Sequence, residues 1–431
     1  MRKKSTRLLS AALAVCMTAA VLPVSAFASG REGFGAEFES GVSSQETIAA
    51  QSKQTGDVAI NETNFPDPIF REFVKWFDTS RDDILSQSEI DAVKTIDCPN
   101  QGIGSLKGIE RFTALEDLNC CGNQLKELNL SSNTALKHLG CCNNQLTELD
   151  VSDNTELTGL DCSSNQLTKL QLTKPDAGNN TALTSLNCSA NQLQNLDVSK
   201  NKALKILYCF YNQLTALNVG NNTALESLAC EVNRLTELDV SKNTKLTELT
   251  CGVNQLTELD LSKNTALTTL YCTSNQLTSL DLGNTNVRAN NLSGNGGFSA
   301  GGNKYNIEVD PNDQFDLSTL PGHFDVSKVK EGSWIGGTVS GDILTVDEGV
   351  DTVTYTYNCG MSQAGEIFSA EFTLKVTGHD ADPVDPDNPA DGGDTDDAAD
   401  NIKGALSAIV VGAVAGAIVY EAGTGIYRVI N

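Results

Sequence analysis

Histidine is almost absent: His138, His323 and His379 are the three in the chain. So few exclude a histidine-based metal cluster, and no nucleophile motif or glycine-rich phosphate loop accompanies them, so the sequence offers no catalytic constellation. Basic residues are scarce too, 30 lysines and arginines against 55 aspartates and glutamates, for a net charge of −25. So acidic a surface argues against nucleic acid and anionic lipid headgroups as partners. Aromatic residues make up 6% of the chain, with two tryptophans, so any cluster of them stands out. Long apolar runs are confined to the two ends.

What fills the middle is repetition. From Leu115 to Leu282 one pattern, L-x-x-L-x-C-x-x-N-Q-L-x-x-L-x-[LV]-x-x-N, returns eight times. Its register is fixed by Cys120, Cys141, Cys162, Cys188, Cys209, Cys230, Cys251 and Cys272, spaced by 21 residues except for one step of 26. A fixed period of this size means a solenoid. One unit offers Leu115, Leu118, Cys120, Leu125, Leu128 and Leu130, too few to close a core, so they are buried only when coils stack. L-x-x-L-x-C has the period-two spacing of a short strand, and successive units should pair into a parallel sheet with strands about 4.8 Å apart. The amides of Asn123, Asn144, Asn165, Asn191, Asn212, Asn233, Asn254 and Asn275 stand where the coil turns inward and are expected to satisfy backbone groups of neighbouring coils. A second row follows ten residues later, at Asn133, Asn154, Asn180, Asn201, Asn222, Asn243 and Asn264.

These units resemble the leucine-rich repeat family, whose signature L-x-x-L-x-[LC]-x-x-N-x-L all eight match closely. The resemblance implies the coil and leaves the ligand open, because the motif does not constrain exposed positions. The half-turn with the N-x-L ending is placed on the concave face.

Residues 1–28 read as a secretory signal: Arg2, Lys3, Lys4 and Arg7, an apolar run from Leu8 to Leu22, then Ala26-Phe27-Ala28. Its removal takes away four positive charges and no negative ones, moving the net charge from −25 to −29. The chain is therefore expected to be exported, to a bacterial cell surface or beyond. Thirteen cysteines in an exported protein ordinarily suggest disulfides. Here eight stand at an inward repeat position that other family members fill with leucine, which makes them small buried hydrophobes. Such thiols persist most easily where oxygen is scarce, so the reading leans to an anaerobic host. Cys121 and Cys142 follow inward cysteines on adjacent strands and are free to cross-link or to remain thiols.

A flexible leader is expected over 29–57, then a helical cap over 58–97. Asn64-Phe65-Pro66-Asp67 looks like a helix start with proline in its first turn, and Ile69, Phe70, Phe73, Val74 and Phe77 give it an apolar face. The stretch from Asp78 to Glu89 resembles an EF-hand loop. It has oxygen donors at positions one, three, five, nine and twelve, as Asp78, Ser80, Asp82, Ser86 and Glu89, with the Ile84 carbonyl at seven. The resemblance implies calcium as ligand, since alternate residues of a tight loop turn their oxygens inward. Asp83 stands where the family's sharp turn prefers glycine, which weakens the site. The other reading is a cap for the first coil that binds nothing. Val93, Ile96 and Cys98 echo Leu115, Leu118 and Cys120 as a degenerate first coil within the repeat region, 98–290.

On the concave strands most outward residues are small or polar, as in Gly159, Asp161 and Ser163 or Ser185, Asn187 and Ser189. Ile206, Tyr208, Phe210 and Tyr211 break that rule, and Tyr271 occupies the Tyr208 column three coils on. Surface aromatics on a rigid sheet are candidate anchors for a protein or glycan. The alternative is that they cover the insertion around Lys174-Pro175-Asp176-Ala177-Gly178. His138 reads as a solvated side chain without a partner constellation. On the other half-turn, Glu148-Leu149-Asp150, Glu237-Leu238-Asp239 and Glu258-Leu259-Asp260, with Asp197 and Asp281 in register, read as a convex face kept soluble by charge.

From about Asn290 to Lys304 the composition is that of a linker. Short alternating runs over 305–377 suggest a small antiparallel β-sandwich, which resembles the immunoglobulin-like modules that follow repeat arrays in internalins and related bacterial surface proteins. An acidic linker follows over 378–402, carrying nine aspartates with Pro383, Pro386 and Pro389. The apolar tail, 403–431, is a membrane or cell-wall attachment, an interfacial helix, or part of a longer module. The fold class is thus mainly β: a leucine-rich repeat solenoid with a small helical N-terminal cap and a C-terminal immunoglobulin-like β-sandwich. The favoured function is non-catalytic recognition of a protein or glycan, as an adhesin or adaptor. The alternative is a structural spacer of the cell envelope without a specific ligand.

Overall fold

The computed structural model describes residues 56–174, 180–289 and 297–378, with the backbone of two further short strands near the C-terminus. The signal segment, almost all of the leader, the acidic linker, residues 175–178 of the insertion and most of the apolar tail lie outside the described residues.

The repeats build one ten-stranded parallel sheet. Its strands are β3 (Thr95–Asp97), β4 (Asp117–Asn119), β5 (His138–Gly140), β7 (Gly159–Asp161), β9 (Ser185–Asn187), β10 (Ile206–Tyr208), β11 (Ser227–Ala229), β12 (Glu248–Thr250), β13 (Thr269–Tyr271) and β14 (Gly297–Ser299). Each is three residues long with its central apolar residue inward: Leu118, Leu139, Leu160, Leu186, Leu207, Leu228, Leu249 and Leu270 are all essentially inaccessible. The register is one repeat per strand, Leu207 opposite Leu186 and Leu228. The opposite half-turn is mostly irregular; among the described residues only β6 (Glu148–Asp150) and β8 (Lys169–Gln171) pair there.

The stack continues beyond both ends of the clear motif. Thr95–Asp97 opens the sheet ahead of the first full repeat. Gly297–Ser299 closes it inside the segment whose composition reads as a linker, with Phe298 opposite Leu270. Asn303 completes that last coil, its Oδ1 accepting from the Asn275 and Leu277 N–H groups and its Nδ2 donating to the Cys272 and Ala300 carbonyls.

Within each coil the expected amide ladder is present. Asn144 Nδ2 donates to the Cys120 and Cys141 carbonyls at 3.0 and 3.1 Å, and its Oδ1 accepts from Leu125 N–H at 3.0 Å. The residue before each ladder asparagine is left-handed: Gly122, Asn143, Ser164, Ala190, Tyr211, Val232, Val253, Ser274 and Gly302 all have positive φ, as has Asn100 at the equivalent place in the first coil, where Gln101 follows. At Gly122 a Cβ would meet the Asn100 side chain at 2.0 Å, so a side chain here would have to displace the Asn100 amide.

The cap closes the first coil. Helix α1 (Pro68–Val74) starts one proline later than the sequence suggests. Asp67 is its N-cap and Pro68 fills the first turn, because the cap must offer a side-chain acceptor. Asp67 Oδ1 accepts from the Ile69 and Phe70 N–H groups while Oδ2 accepts from Gly104 and Ser105 of the first coil, so one carboxylate caps the helix and docks it. Phe70 and Val74 are buried, Phe73 and Phe77 partly so, and Ile69 departs from the expected face at 42% exposure. Phe65, Phe77 and Phe112 pack edge-on or tilted over the end of the solenoid. After the loop, β2 (Ile84–Leu85) pairs antiparallel with β1 (Val58–Ala59), and α2 (Gln87–Ala92) leads into the sheet.

At the other end, β15 (Asn303–Glu308), β19 (Thr352–Met361) and β20 (Ile367–Thr377) form one three-stranded sheet; β16 (Gln314–Asp316), β17 (Gly337–Ser340) and β18 (Ile343–Val346) form another. The expected wholly antiparallel arrangement is corrected in one pair: β15, which starts at the residue completing the last coil, runs parallel to β20. Tyr355, Tyr357 and Phe372 fill its core. The unit is fastened to the last coils by Tyr355 Oη donating to the Thr278 carbonyl at 2.6 Å, Leu282 N–H to the Cys359 carbonyl at 2.8 Å, and Lys328 to Asp281 at 3.1 Å. In the tail, β21 (Ala417–Tyr420) pairs antiparallel with β22 (Tyr427–Ile430), so the end of the apolar run is extended. No helix among the described residues is long and apolar enough to cross a membrane.

Candidate binding face of the sheet

The outward side chains of the ten strands form columns fixed by the register. Tyr208, Ala229, Thr250 and Tyr271 follow one another in one column, and Ile206, Ser227, Glu248 and Thr269 in the next. A third column lies just past the inward cysteines, where Phe210 is followed by Glu231 and Gly252. Ile206, Tyr208, Phe210 and Tyr211 are half-buried. They shield one another, with ring centroids 6.4 Å apart for Tyr208–Phe210 and 5.8 Å for Phe210–Tyr211. Tyr271 is the more open, at 36% exposure.

The two tyrosines of the central column stand three strands apart, about 14 Å at the ordinary strand spacing, with only Ala229 and Thr250 between them. Two carboxylates that sequence reading missed border this floor. Glu231 accepts from Thr250 Oγ1 at 2.5 Å, and Glu248 accepts from Ser227 Oγ at 3.1 Å. Burial pushes the Glu231 carboxyl up to about 6, against the lowering effect of the Thr250 hydrogen bond. Laying the 21-residue repeats in register would have found both residues, since Glu248 shares the column of Ile206 and Glu231 that of Phe210.

The insertion does not account for the aromatic row through Lys174, which instead pairs with Asp153 at 2.6 Å; residues 175–178 lie outside the described residues. His138 is not partnerless, as the sequence suggested: its Nδ1 is 2.6 Å from Asp117 Oδ1 and its Nε2 3.1 Å from Thr158 Oγ1. The parallel register sets Asp117 and His138 side by side on neighbouring strands with Thr158 just ahead of the next, a proximity that a linear reading does not show. Thr158 Oγ1 also donates to the Lys137 carbonyl, so the trio braces the strands.

The acidic column of the opposite half-turn has a local task. Asp150, Asp197, Asp239, Asp260 and Asp281 each accept the N–H two residues on, the hydrogen bond of an Asx turn.

In the loop after α1, Asp83 adopts the left-handed conformation, φ 59°. Asp78 accepts from Ser80 Oγ and from the Arg81 and Asp83 N–H groups. Asp82 accepts from Ile84 N–H. Glu89 Oε1 takes Thr79 N–H, Thr79 Oγ1 and Ser80 N–H, while Oε2 takes Ser86 N–H and Oγ. Burial acts to raise the Glu89 carboxyl, but the hydrogen bonds from Thr79 and Ser86 outweigh it and hold it down at about 2. Ser80, Asp82, Ile84 and Ser86 therefore surround two carboxylates already turned to protein donors. Among the described residues no group of three or more His, Cys, Asp or Glu is placed to hold a metal ion. In this arrangement Glu89 closes the loop itself, as the N3 member of a capping box with Ser86.

Cys121 and Cys142 form a disulfide between adjacent coils, Cα atoms 4.6 Å apart. The inward cysteines are free and buried. Burial raises the thiols of Cys98 and Cys188 to about 12 and Cys120, Cys162, Cys209, Cys230, Cys251 and Cys272 well above their ordinary value. The thiolate is the reactive form, so burial in the folded coil keeps these thiols unreactive.

No protein-family model matches the chain. Over 92 residues it is 37% identical to internalin J of Listeria monocytogenes serotype 4b strain F2365, a stretch that is 21% of this chain and 10% of that protein. The chain thus matches about a tenth of the length of this curated relative. Among solved structures it is similar to the functional domain of InlJ from Listeria monocytogenes, described as including a cysteine ladder, with 25% identity over 74% of this chain and 99% of that one and a TM-score of 0.35. It is also similar to internalin C2 of the same species, with 21% identity, 55% and 98% coverage and a TM-score of 0.42. YopM of Yersinia enterocolitica WA-314 gives 26% identity, 41% and 36% coverage and a TM-score of 0.34. The leucine-rich repeat assignment rests on the coil itself: its period, its parallel register and its asparagine ladder.

Proposed function

We propose that this internalin-like leucine-rich repeat protein is an exported, non-catalytic recognition protein. It presents the exposed face of its ten-stranded sheet to a protein ligand at the bacterial cell surface, as an adhesin or adaptor, with a glycan as the other ligand class. The observation that carries this reading is the aromatic row at Ile206, Tyr208, Phe210 and Tyr211 with Tyr271 three strands on. Half-buried aromatics on a rigid, otherwise small-residue sheet are the groups that supply binding energy at interfaces. Attachment to the envelope would come from the region beyond residue 378.

The test is a screen of the full mature chain against arrays of surface proteins and of glycans, repeated with Tyr208→Ala and Tyr271→Ala. A ligand whose binding falls by about tenfold or more in either variant supports recognition. Silence of the wild-type chain on both arrays would favour the structural spacer. Fractionation of the native host, with the chain found on the cell surface or in the medium, tests export.

A further inference from the structure

The floor between Tyr208 and Tyr271 combines features that a generic aromatic patch lacks. Its two bordering carboxylates, Glu231 and Glu248, each accept a hydroxyl, from Thr250 and Ser227. Neither forms an ion pair among the described residues. The nearby lysine, Lys205, is engaged with Glu226 at 3.3 Å. No lysine or arginine occurs in the three outward columns from β10 to β13. Elsewhere a carboxylate on this side is neutralised from the next coil, as Glu116 is by Lys137 at 2.6 Å. Here two carboxylates are left in the columns on either side of the two tyrosines, on a chain whose net charge is −25.

Resting on the recognition reading above, we infer that the trough between Tyr208 and Tyr271 receives a basic side chain, an arginine or lysine of a protein ligand. Its cation sits against Glu231 and Glu248, and its aliphatic stem lies on Ala229 between the tyrosine rings. The physical reasons are additive. A cation over a tyrosine face is attracted by the ring quadrupole, and a carboxylate partly removed from water gains more from a paired cation than one in bulk solvent. Ala229 leaves the floor low enough for a long stem to lie flat, as lysine and arginine stems do on apolar surface. A neutral glycan would use the rings but has no use for two carboxylates.

The test selects a displayed library of random linear peptides on the full mature chain and, in parallel, screens the glycan array. The expected result is enrichment of peptides bearing arginine or lysine. A synthetic peptide from that set should lose about tenfold in affinity against Glu248→Gln, against Glu231→Gln and against Tyr271→Ala, in proteins whose thermal melts match the wild type. Replacing its arginine by citrulline, or its lysine by acetyl-lysine, should cost as much. Ligands without a basic group, peptide or glycan, that depend on Tyr208 or Tyr271 but bind equally to both glutamine variants would overturn the inference and leave recognition standing. If nothing is enriched and the protein and glycan arrays are silent, both readings fall.

Discussion

The two asparagine rows of the solenoid use the same residue at the same one-per-coil spacing, yet they are not equivalent. In the first row both ends of the amide are engaged: Asn233 donates to the Cys209 and Cys230 carbonyls and accepts from Leu214 N–H. In the second row only the donor works. Asn222 donates to the Val198 and Asn201 carbonyls at 2.9 and 2.8 Å. Its Oδ1, like those of Asn133, Asn154, Asn180, Asn201, Asn243 and Asn264, is buried without a partner. The first row therefore binds backbone on two neighbouring coils, whereas the second gathers carbonyls on one side only. Conserving a side chain's identity along a stack does not conserve its energetic role, because the role depends on which backbone groups the half-turn leaves unpaired.

Mutation can break this contrast. Asn233→Ala strands the Leu214 N–H inside the coil, while the Cys209 and Cys230 carbonyls keep Asn212 and Asn254 as donors, and should cost about 2–3 kcal/mol in denaturant unfolding. Asn222→Ala strands nothing, since the Val198 and Asn201 carbonyls keep the Asn201 and Leu204 N–H groups, and it removes an orphaned acceptor, so no more than about 1 kcal/mol is expected. Equal losses would mean that the rows are interchangeable. The contrast sharpens at the left-handed residue before each first-row asparagine. Val232, β-branched at φ 54°, should become more stable by about 1 kcal/mol when changed to asparagine, the residue found at positions 100 and 143.

The cap offers a carboxylate counterpart to the first row, since Glu89 also gathers backbone N–H groups. Its carboxyl is held at about 2, below an ordinary 4.5. The stability it contributes is thus present above pH 4.5 and is lost as pH falls towards 2. For so open a group this is worth about 1 kcal/mol after solvent screening. Glu89→Gln should remove that part of the acid limb in pH-dependent melts. The smallest effect expected is that of calcium. A cation would have to take Glu89 from its five donors, so millimolar calcium should leave the melting temperature unchanged. A rise that disappears in Glu89→Ala would show that it does displace them.

Much of this architecture is legible in the residues. The 21-residue period, the inward Leu and Cys pattern and the first asparagine row specify the stacked parallel sheet, since each is a local requirement repeated coil by coil. The terminal coils are harder to read. Phe298 and Asn303 do the work of a leucine and a ladder asparagine, but a glycine-rich segment intervenes and hides the period. The cap helix is legible as a helix, whereas its capping residue is not. Asp67 earns that place by also reaching Gly104 and Ser105, and no local rule includes that contact. The aromatic row is visible as a departure from small residues within one repeat; its acidic border emerges only when the repeats are laid in register, because Glu231 and Glu248 join it across strands.

By itself the sequence determined the coil: a period, a buried stripe too small to stand alone, and an amide wherever the backbone turns inward, all of which follow from the need to pair buried polar groups. Only the tertiary structure decided what one coil shows to the next. It set Glu231 under Thr250, Asp117 beside His138 and Cys121 against Cys142. Residues 19 to 21 apart in the chain become neighbours when the coil closes one turn and brings the next strand alongside.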